Sequence, residues 1–274
     1  MLDVVHDSAR RPETVTASLR TLLGRRGLVS VLVRRDLAVR YKRSLLGVWW
    51  TLLNPLLEMA VLWLVFSQVF RFATPEAPYV VYLLSGVVLA TLLRQAIIGV
   101  ATSLSNNATI LARLYVPPEA FALSAAIVLA INFALSLGPL VAVMLITGTS
   151  IPLTLPLVVV PAALLLAGAT GIGLLLAPAS VVYPDVQELL RIVLTLLTYL
   201  APIFYPIAIV PDRYQWVVEA NPLTHFLEAF RALLYGAGFG SWQTWAVMTG
   251  TAALSLVLGM RVFARSARPV VGSL

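Results

Sequence analysis

The chain has 274 residues, 60% of them hydrophobic and 11% charged, with a mean hydropathy of +0.93. Soluble domains carry about a quarter of their residues as charged side chains, so most of this polypeptide is suited to lipid. The net charge of +7 is gathered near one end and beside apolar runs, which suits topology selection rather than nucleic-acid binding, and the absence of cysteine excludes disulfides and thiolate metal sites.

Residues 1–27 form a polar, arginine-bearing lead, expected to be a tail rather than a cleaved signal peptide. Residues 28–46 carry an apolar stripe at Val29, Leu32, Val33, Leu37, Tyr41 and Leu45, with Arg34, Arg35, Asp36, Arg40, Lys42 and Arg43 on the other faces. Spacing by four predicts an amphipathic helix lying flat at a membrane interface, its arginines toward anionic headgroups. A spanning helix needs about twenty mostly apolar residues. Six segments are expected to meet that need, at about 48–71, 79–101, 119–147, 153–182, 188–206 and 242–263. No regular two-residue alternation suggests barrel strands, so the predicted class is all-α and polytopic.

Between the second and third segments, 103–121 holds a predicted short helix from Thr109 to Tyr115, stopped before Pro117 and Pro118. Between the fourth and fifth, the chain turns at Pro184 and Asp185; Asp185 is placed to cap the next helix, and Glu188 and Arg191 lie one turn apart on it. From Ala201 to Gly240 the chain is too polar and proline-rich to span. Asn221 followed by Pro222 reads as a helix start, opening an amphipathic helix through Leu234. Two short helices or a re-entrant hairpin are expected there, before the last span, and residues 265–274 form a tail.

Six spans put both termini on one side. Ten of the nineteen Lys and Arg residues precede Gly47, and Arg261, Arg265 and Arg268 follow the last span, whereas Arg71, Arg213 and Arg231 fall on the opposite side. The positive-inside rule places both termini in the cytoplasm.

Candidate functional residues fall into few groups. Glu58 and Arg94 sit inside the first and second spans, where a charge costs about 2.5–3.5 kcal/mol, so they should face protein or water and would pair if the helices are neighbours. Ala167, Gly171, Ala169 and Gly173 give small-residue spacing that suits helix packing. Aromatic residues gather in the first span, with Trp63, Phe66 and Phe70, and at the end of the fifth, with Tyr199, Phe204 and Tyr205. An interfacial aromatic belt accounts for Trp49 and Trp50; the deeper rings suit stacking on sugar rings along a translocation path. No GxxxxGK[ST] surrounds Lys42, the sole lysine, and His6 and His225 have no metal-ligand spacing. Few intramembrane carboxylates argue against ion coupling, so energy for transport would come from another subunit.

The run VRRDLAVRYKRSLLGVWWTLLNPLLEMAVLWLVFSQVF resembles the N-terminal signature of ABC-2 type permeases that export cell-envelope polysaccharides such as O-antigen, galactan, capsule or teichoic acid. YLAPIFYPIAIVP with ANPLTHFLEAFRALL resembles their second signature, and NATILARLYVPP their first cytoplasmic loop. The resemblance implies a homodimer of six-span permeases in the bacterial plasma membrane, bound to two copies of a cytoplasmic ATPase that holds ATP and Mg. This chain would bind no cofactor or metal and would not be an enzyme. It implies an interface helix near 28–44 and outer gate helices within 203–235. ATPase contacts would come from Asn107, Ile110, Leu111, Arg113, Tyr115, Tyr183 and Asp185. The cargo would be a glycan on a polyprenyl-pyrophosphate carrier, passing Trp63, Phe66, Phe70, Tyr199, Phe204 and Tyr205, with Arg40, Lys42 and Arg43 toward the pyrophosphate. The chain departs from the pattern at Ala112, Pro118 and Pro184, where basic residues are common, and at Glu58, where an apolar residue is usual. The competing expectations are an ABC-2 exporter of drugs or small lipids, and a membrane enzyme or assembly factor acting on polyprenyl carriers.

Overall fold

The computed structural model describes residues 26–41, 47, 49–69, 74, 77–113 and 116–272, and these are helical with no strand among them. The elements are α1 (Arg26–Tyr41), α2 (Trp49–Trp63), α3 (Tyr79–Ala101), α4 (Ala108–Arg113), α5 (Pro118–Ile146), α6 (Val159–Val182), α7 (Asp185–Leu200), α8 (Asp212–Glu219), α9 (Pro222–Tyr235) and α10 (Trp242–Gly272). A π-helical turn, Leu64–Val69, extends α2, and a 3-10 turn, Leu155–Val158, leads into α6.

Among the described residues, five helical stretches are long and apolar enough to cross a membrane: Trp49–Ser67, Tyr79–Ala101, Pro118–Ile146, Leu155–Val182 and Trp242–Ala267. Their limits follow the expected segments within a few residues. The fifth expected segment differs. Its helix α7 has 16 residues, about 24 Å of rise, and stops where Pro202 deprives the chain of an amide donor. Non-helical backbone from Ala201 onward carries the chain further, until Tyr79 in the first turn of α3 donates its hydroxyl to the Phe204 carbonyl.

α3 is the axis of the bundle. Apart from the Thr91, Arg94 and Gln95 face it is apolar, and Val81, Leu83, Leu84, Leu89, Ala96, Ile97 and Val100 are fully enclosed, as expected of a helix ringed by others. It packs against α2, α5, α6 and α7. α6 and α10 make the most extensive helix pair. Their backbones meet where Gly171 lies against Ser255 and Gly259, and Gly173 faces Val100 of α3. The small-residue spacing in the fourth span is therefore helix packing.

The apolar stripe of α1 is taken up by protein. Val29, Leu32 and Val33 are buried in a cluster with Leu104, Leu111, Phe121, Phe263 and Ala267. This joins α1, α4, the start of α5 and the C-terminal part of α10 at one end of the bundle. Arg35 fastens the junction: its guanidinium donates to Asp36 at 2.7 Å and to the Asn107 side chain at 2.7 Å, and lies 5.8 Å from the Phe121 ring. Leu37 packs against this cluster, and the Tyr41 side chain and Leu45, the rest of the expected stripe, lie outside what is described.

At the opposite end, Asn221 joins α7 to α9. Its Oδ1 accepts from the Leu223 amide at 3.1 Å, capping α9, while its Nδ2 donates at 2.8 Å to the Leu197 carbonyl, which also accepts from the Ala201 amide at the end of α7. Asn221→Ala should lower stability by about 1–2 kcal/mol, measured as a drop in the tryptophan-fluorescence melting temperature of purified protein; Asn221→Asp, which keeps only the cap, should fall between. The helix ends in Gly236 at φ 80°, a left-handed cap that suits glycine. Asp185 does not cap α7 as expected: it is the first helical residue, Pro184 is the flanking one, and no side-chain cap forms.

Candidate functional site: a polar chamber between α2, α3, α5 and α7

Glu58 and Arg94 meet across α2 and α3, Arg94 Nη2 lying 3.7 Å from Glu58 Oε1. That is an ion pair too long for a hydrogen bond, and both side chains are part exposed. They line a chamber of about 520 Å³ with Arg40, Trp50, Thr51, Asn54, Gln95 and Asn132. A second, more open lobe of about 580 Å³ shares Arg40, Thr91, Arg94, Gln95 and Leu129 and is lined on the α7 side by Arg191, Leu194 and Thr195. Both volumes fall in the range of small-molecule sites. Arg94 lies seven residues before the end of α3, about 10 Å of rise, so the chamber occupies the half of the bundle nearer α1. Arg191 also bonds Glu188 at 2.7 Å, the one-turn pair expected from the sequence.

Of the expected phosphate-binding group, Arg40 is exposed at the end of α1 and borders both lobes. Lys42 and Arg43 lie outside the described residues. Arg94 and Arg191, which the sequence reading assigned to a membrane pair and a helix-surface pair, are the residues the fold brings to Arg40.

The aromatic residues assemble at the end of the bundle opposite α1. Phe66 stacks on Phe204 with centroids 6.0 Å apart and planes at 12°, and Tyr199 leans against Phe204 at 5.7 Å with its plane tilted by 42°. Phe204 is buried, whereas Trp63 and Tyr199 are exposed. The Tyr205 hydroxyl donates to the Leu200 carbonyl at 3.1 Å, completing the end of α7. Phe70 lies outside the described residues.

The expected ATPase-contact residues divide by exposure. Asn107 accepts from Arg35 and donates to the Ser103 carbonyl at 2.9 Å; Leu111 is buried and Ile110 packs beside it. These three secure the loop. Arg113, Tyr183 and Asp185 are exposed at the same end and are the members free to touch another protein. Tyr115 lies outside the described residues.

Arg231, counted from the sequence only among the cations opposite the termini, is buried. Its guanidinium donates to the carbonyls of Pro202 at 2.8 Å and Tyr82 at 3.1 Å and to the Ser85 hydroxyl at 3.2 Å, and it lies 3.5 Å from the centroid of the Tyr82 ring. The Tyr82 hydroxyl in turn donates to the carbonyls of Pro202 and Tyr205, at 2.7 and 2.8 Å. Together they satisfy the non-helical backbone after α7, which lipid cannot. The signal was present: Leu227 and Leu234 lie four and three residues from Arg231, on the same helix face.

The description "ABC-2 type transporter" matches residues 27–235 of this chain. Over 240 residues the chain is 23% identical to an O-antigen export system permease protein, RfbA, of Klebsiella pneumoniae, covering 86% of this chain and 90% of that protein. It is 29% identical over 221 residues to an RfbA of Myxococcus xanthus, with 79% and 84% covered. It is 23% identical over 204 residues to the polysialic acid transport protein KpsM of Escherichia coli, with 74% and 79% covered.

Proposed function

Because the chain belongs to the ABC-2 type transporter family, we propose that it is the permease subunit of an ATP-driven exporter of a polyprenyl-diphosphate-linked polysaccharide across the bacterial plasma membrane. The observation that carries this reading is its similarity, over 74% or more of its length, to permeases named for O-antigen export and polysialic acid transport. The arginines around α1 and at the end of α10 orient the α1 end, with both termini, toward the cytoplasm. With no phosphate-cradling loop in the sequence, hydrolysis falls to two copies of a separate ATPase holding ATP and Mg. The exposed Arg113, Tyr183 and Asp185 receive them.

The translocation path forms where two copies of the chain meet. α2 leaves Leu57, Val61, Trp63 and Leu64 exposed, and α7 leaves Leu189, Ile192, Leu196 and Tyr199 exposed, so these faces are available to the second copy and to the glycan. Aromatic faces at Trp63 and Tyr199 stack on the C–H faces of sugar rings while letting the chain slide.

The test is reconstitution with a candidate partner ABC ATPase. ATP-dependent movement of lipid-linked glycan into liposomes is expected, and a complex that hydrolyses ATP but moves only small amphiphiles would overturn the polysaccharide reading. Trp63→Ala with Tyr199→Ala should slow glycan export about fivefold or more, on the scale of base–aromatic stacking losses, without loss of complex. Arg113→Glu with Asp185→Lys should reduce the ATPase recovered with the permease, read by pull-down, while leaving its melting temperature unchanged.

A further inference from the structure

We infer that the two-lobed chamber is a headgroup site, in which Arg40, Arg94 and Arg191 hold a lipid-borne diphosphate and the Glu58 lobe holds the first sugar attached to it. The inference rests on the export reading above and names where the carrier's polar head is seated.

The chemistry of the two lobes differs. The lobe toward α7 is bordered by three guanidinium groups from three elements, Arg40, Arg94 and Arg191, with Thr91, Gln95 and Thr195 as further hydrogen-bonding groups. Among the described residues no carboxylate borders it: Glu58 lines only the other lobe, and Glu188, which pairs with Arg191 at 2.7 Å, lines neither. Guanidinium forks match phosphate oxygens in geometry and charge, and several converging on one space suit a polyanion better than a single carboxylate. The three donors also start from separate helices, so the site exists only in the folded bundle.

The lobe toward α2 is an acceptor and amide environment. Glu58, Asn54 and Asn132 supply carbonyl or carboxylate oxygens for hydroxyl groups, and the Trp50 ring borders the same space. That combination fits a pyranose, with hydroxyls to the polar side chains and a C–H face to the indole. Arg94 borders both lobes, so a sugar diphosphate would lie across it, the phosphates displacing the guanidinium from its long contact with Glu58. An ion pair at 3.7 Å gives up little when replaced by a phosphate. The α7 residues next to the anion lobe, Ile192 and Leu196, are exposed and apolar, a surface along which a prenyl tail can lie while its head is inside.

The position fits the direction of transport. The chamber opens in the half of the bundle nearer α1, the side from which a cytoplasmically assembled lipid-linked glycan arrives under the export reading. It is distant from the aromatic group around Phe204, so head recognition and chain passage occupy different levels of the protein.

The experiment uses the full chain in nanodiscs of phosphatidylcholine, with tryptophan fluorescence reporting binding through Trp50. Probes are farnesyl diphosphate, farnesyl-diphospho-N-acetylglucosamine, inorganic pyrophosphate and phosphatidylglycerol. Saturable binding of the two farnesyl compounds is expected, with Arg94→Gln and Arg191→Gln each weakening it about tenfold or more and Arg213→Gln, at the far end, leaving it unchanged. Glu58→Gln should weaken only the sugar-bearing probe. Equal binding of the farnesyl diphosphate by wild type and both arginine variants overturns the site. So does competition by pyrophosphate or phosphatidylglycerol at the same concentrations, which would make it a site for free diphosphate or for bulk bilayer anions. An unchanged sugar preference in Glu58→Gln overturns the second lobe. If Arg94→Gln does not fold, Arg191→Gln decides, since Arg191 is largely exposed on the surface of α7. Glycan export by the reconstituted complex, without farnesyl diphosphate binding, removes the site and keeps the function. Binding without export of any glycan does the reverse.

Discussion

Replacing Arg231 with methionine will cost the protein most of its folded yield. The guanidinium is the donor for the carbonyls of Pro202 and Tyr82 and for the Ser85 hydroxyl, all buried in the bundle. Methionine fills similar space but donates nothing. The Pro202 and Tyr82 carbonyls keep the Tyr82 and Ser85 hydroxyls as donors, so the cost is that of losing three bonds from a charged donor, about 1.5–3 kcal/mol each; the loss should exceed about 3 kcal/mol, a large share of the stability of a typical domain. Arg231→Lys retains the charge and one donor direction and should recover part of the loss, because an ammonium cannot fork to carbonyls on two separate segments. Gly86 belongs to the same construction: a Cβ there would lie 2.9 Å from Arg231 Nη2 and 2.9 Å from Ile203 Cγ2. Gly86→Val should therefore mimic the Arg231 lesion from the opposite side. The readouts are the monodisperse fraction on gel filtration and the tryptophan-fluorescence melting temperature in detergent. Wild-type melting in Arg231→Met would mean that the backbone after Leu200 finds its partners elsewhere.

Gly171→Leu will separate α6 from α10. A side chain at Gly171 would run into the backbone of Ser255 and Leu256, and Gly259 stands against the Gly171 carbonyl. Backbone cannot yield as a side-chain tip does, so even Gly171→Ala requires the helices to move apart. Overpacking of this kind costs about 1–3 kcal/mol for added methylenes, and leucine should reach or pass the upper end. Gly250→Ala is the matched control: it lies in α10 with nothing within 4 Å of its Cβ position, and alanine there should be neutral or stabilise by up to about 1 kcal/mol through helix propensity. Equal melting temperatures for Gly171→Leu and Gly250→Ala would sink the close-approach argument.

The candidate site was less legible than the fold. Glu58 and Arg94 stood out because a charge within an apolar run is costly wherever it lies, and their pairing needed only that α2 and α3 be neighbours. Arg191 gave no such signal. On α7 it reads as the partner of Glu188 one turn away, and that pair does form; its place beside Arg40 and Arg94 depends on how α7 is turned against α3. The aromatic group divides in the same way. Density of rings marked Phe66, Tyr199 and Phe204, but only packing buries Phe204 in contact with the other two and leaves Tyr199 and Trp63 exposed.

The amino-acid sequence alone determined that this chain is an all-helical membrane protein, roughly where its helices lie and, by resemblance, its family. Those properties follow from local quantities: the length of an apolar run and signature motifs read in order. The tertiary structure decided that the fifth expected span is a shorter helix completed by irregular backbone, and that Arg231 supports that backbone from the inside. It also decided that α1 spends its apolar stripe on protein, and that three arginines far apart in the chain border one chamber. A helix pattern specifies which faces are apolar or charged but not the rotation or depth at which helices dock. Those are fixed by close packing at positions such as Gly171 and Gly86, where the absence of a side chain lets another segment come near.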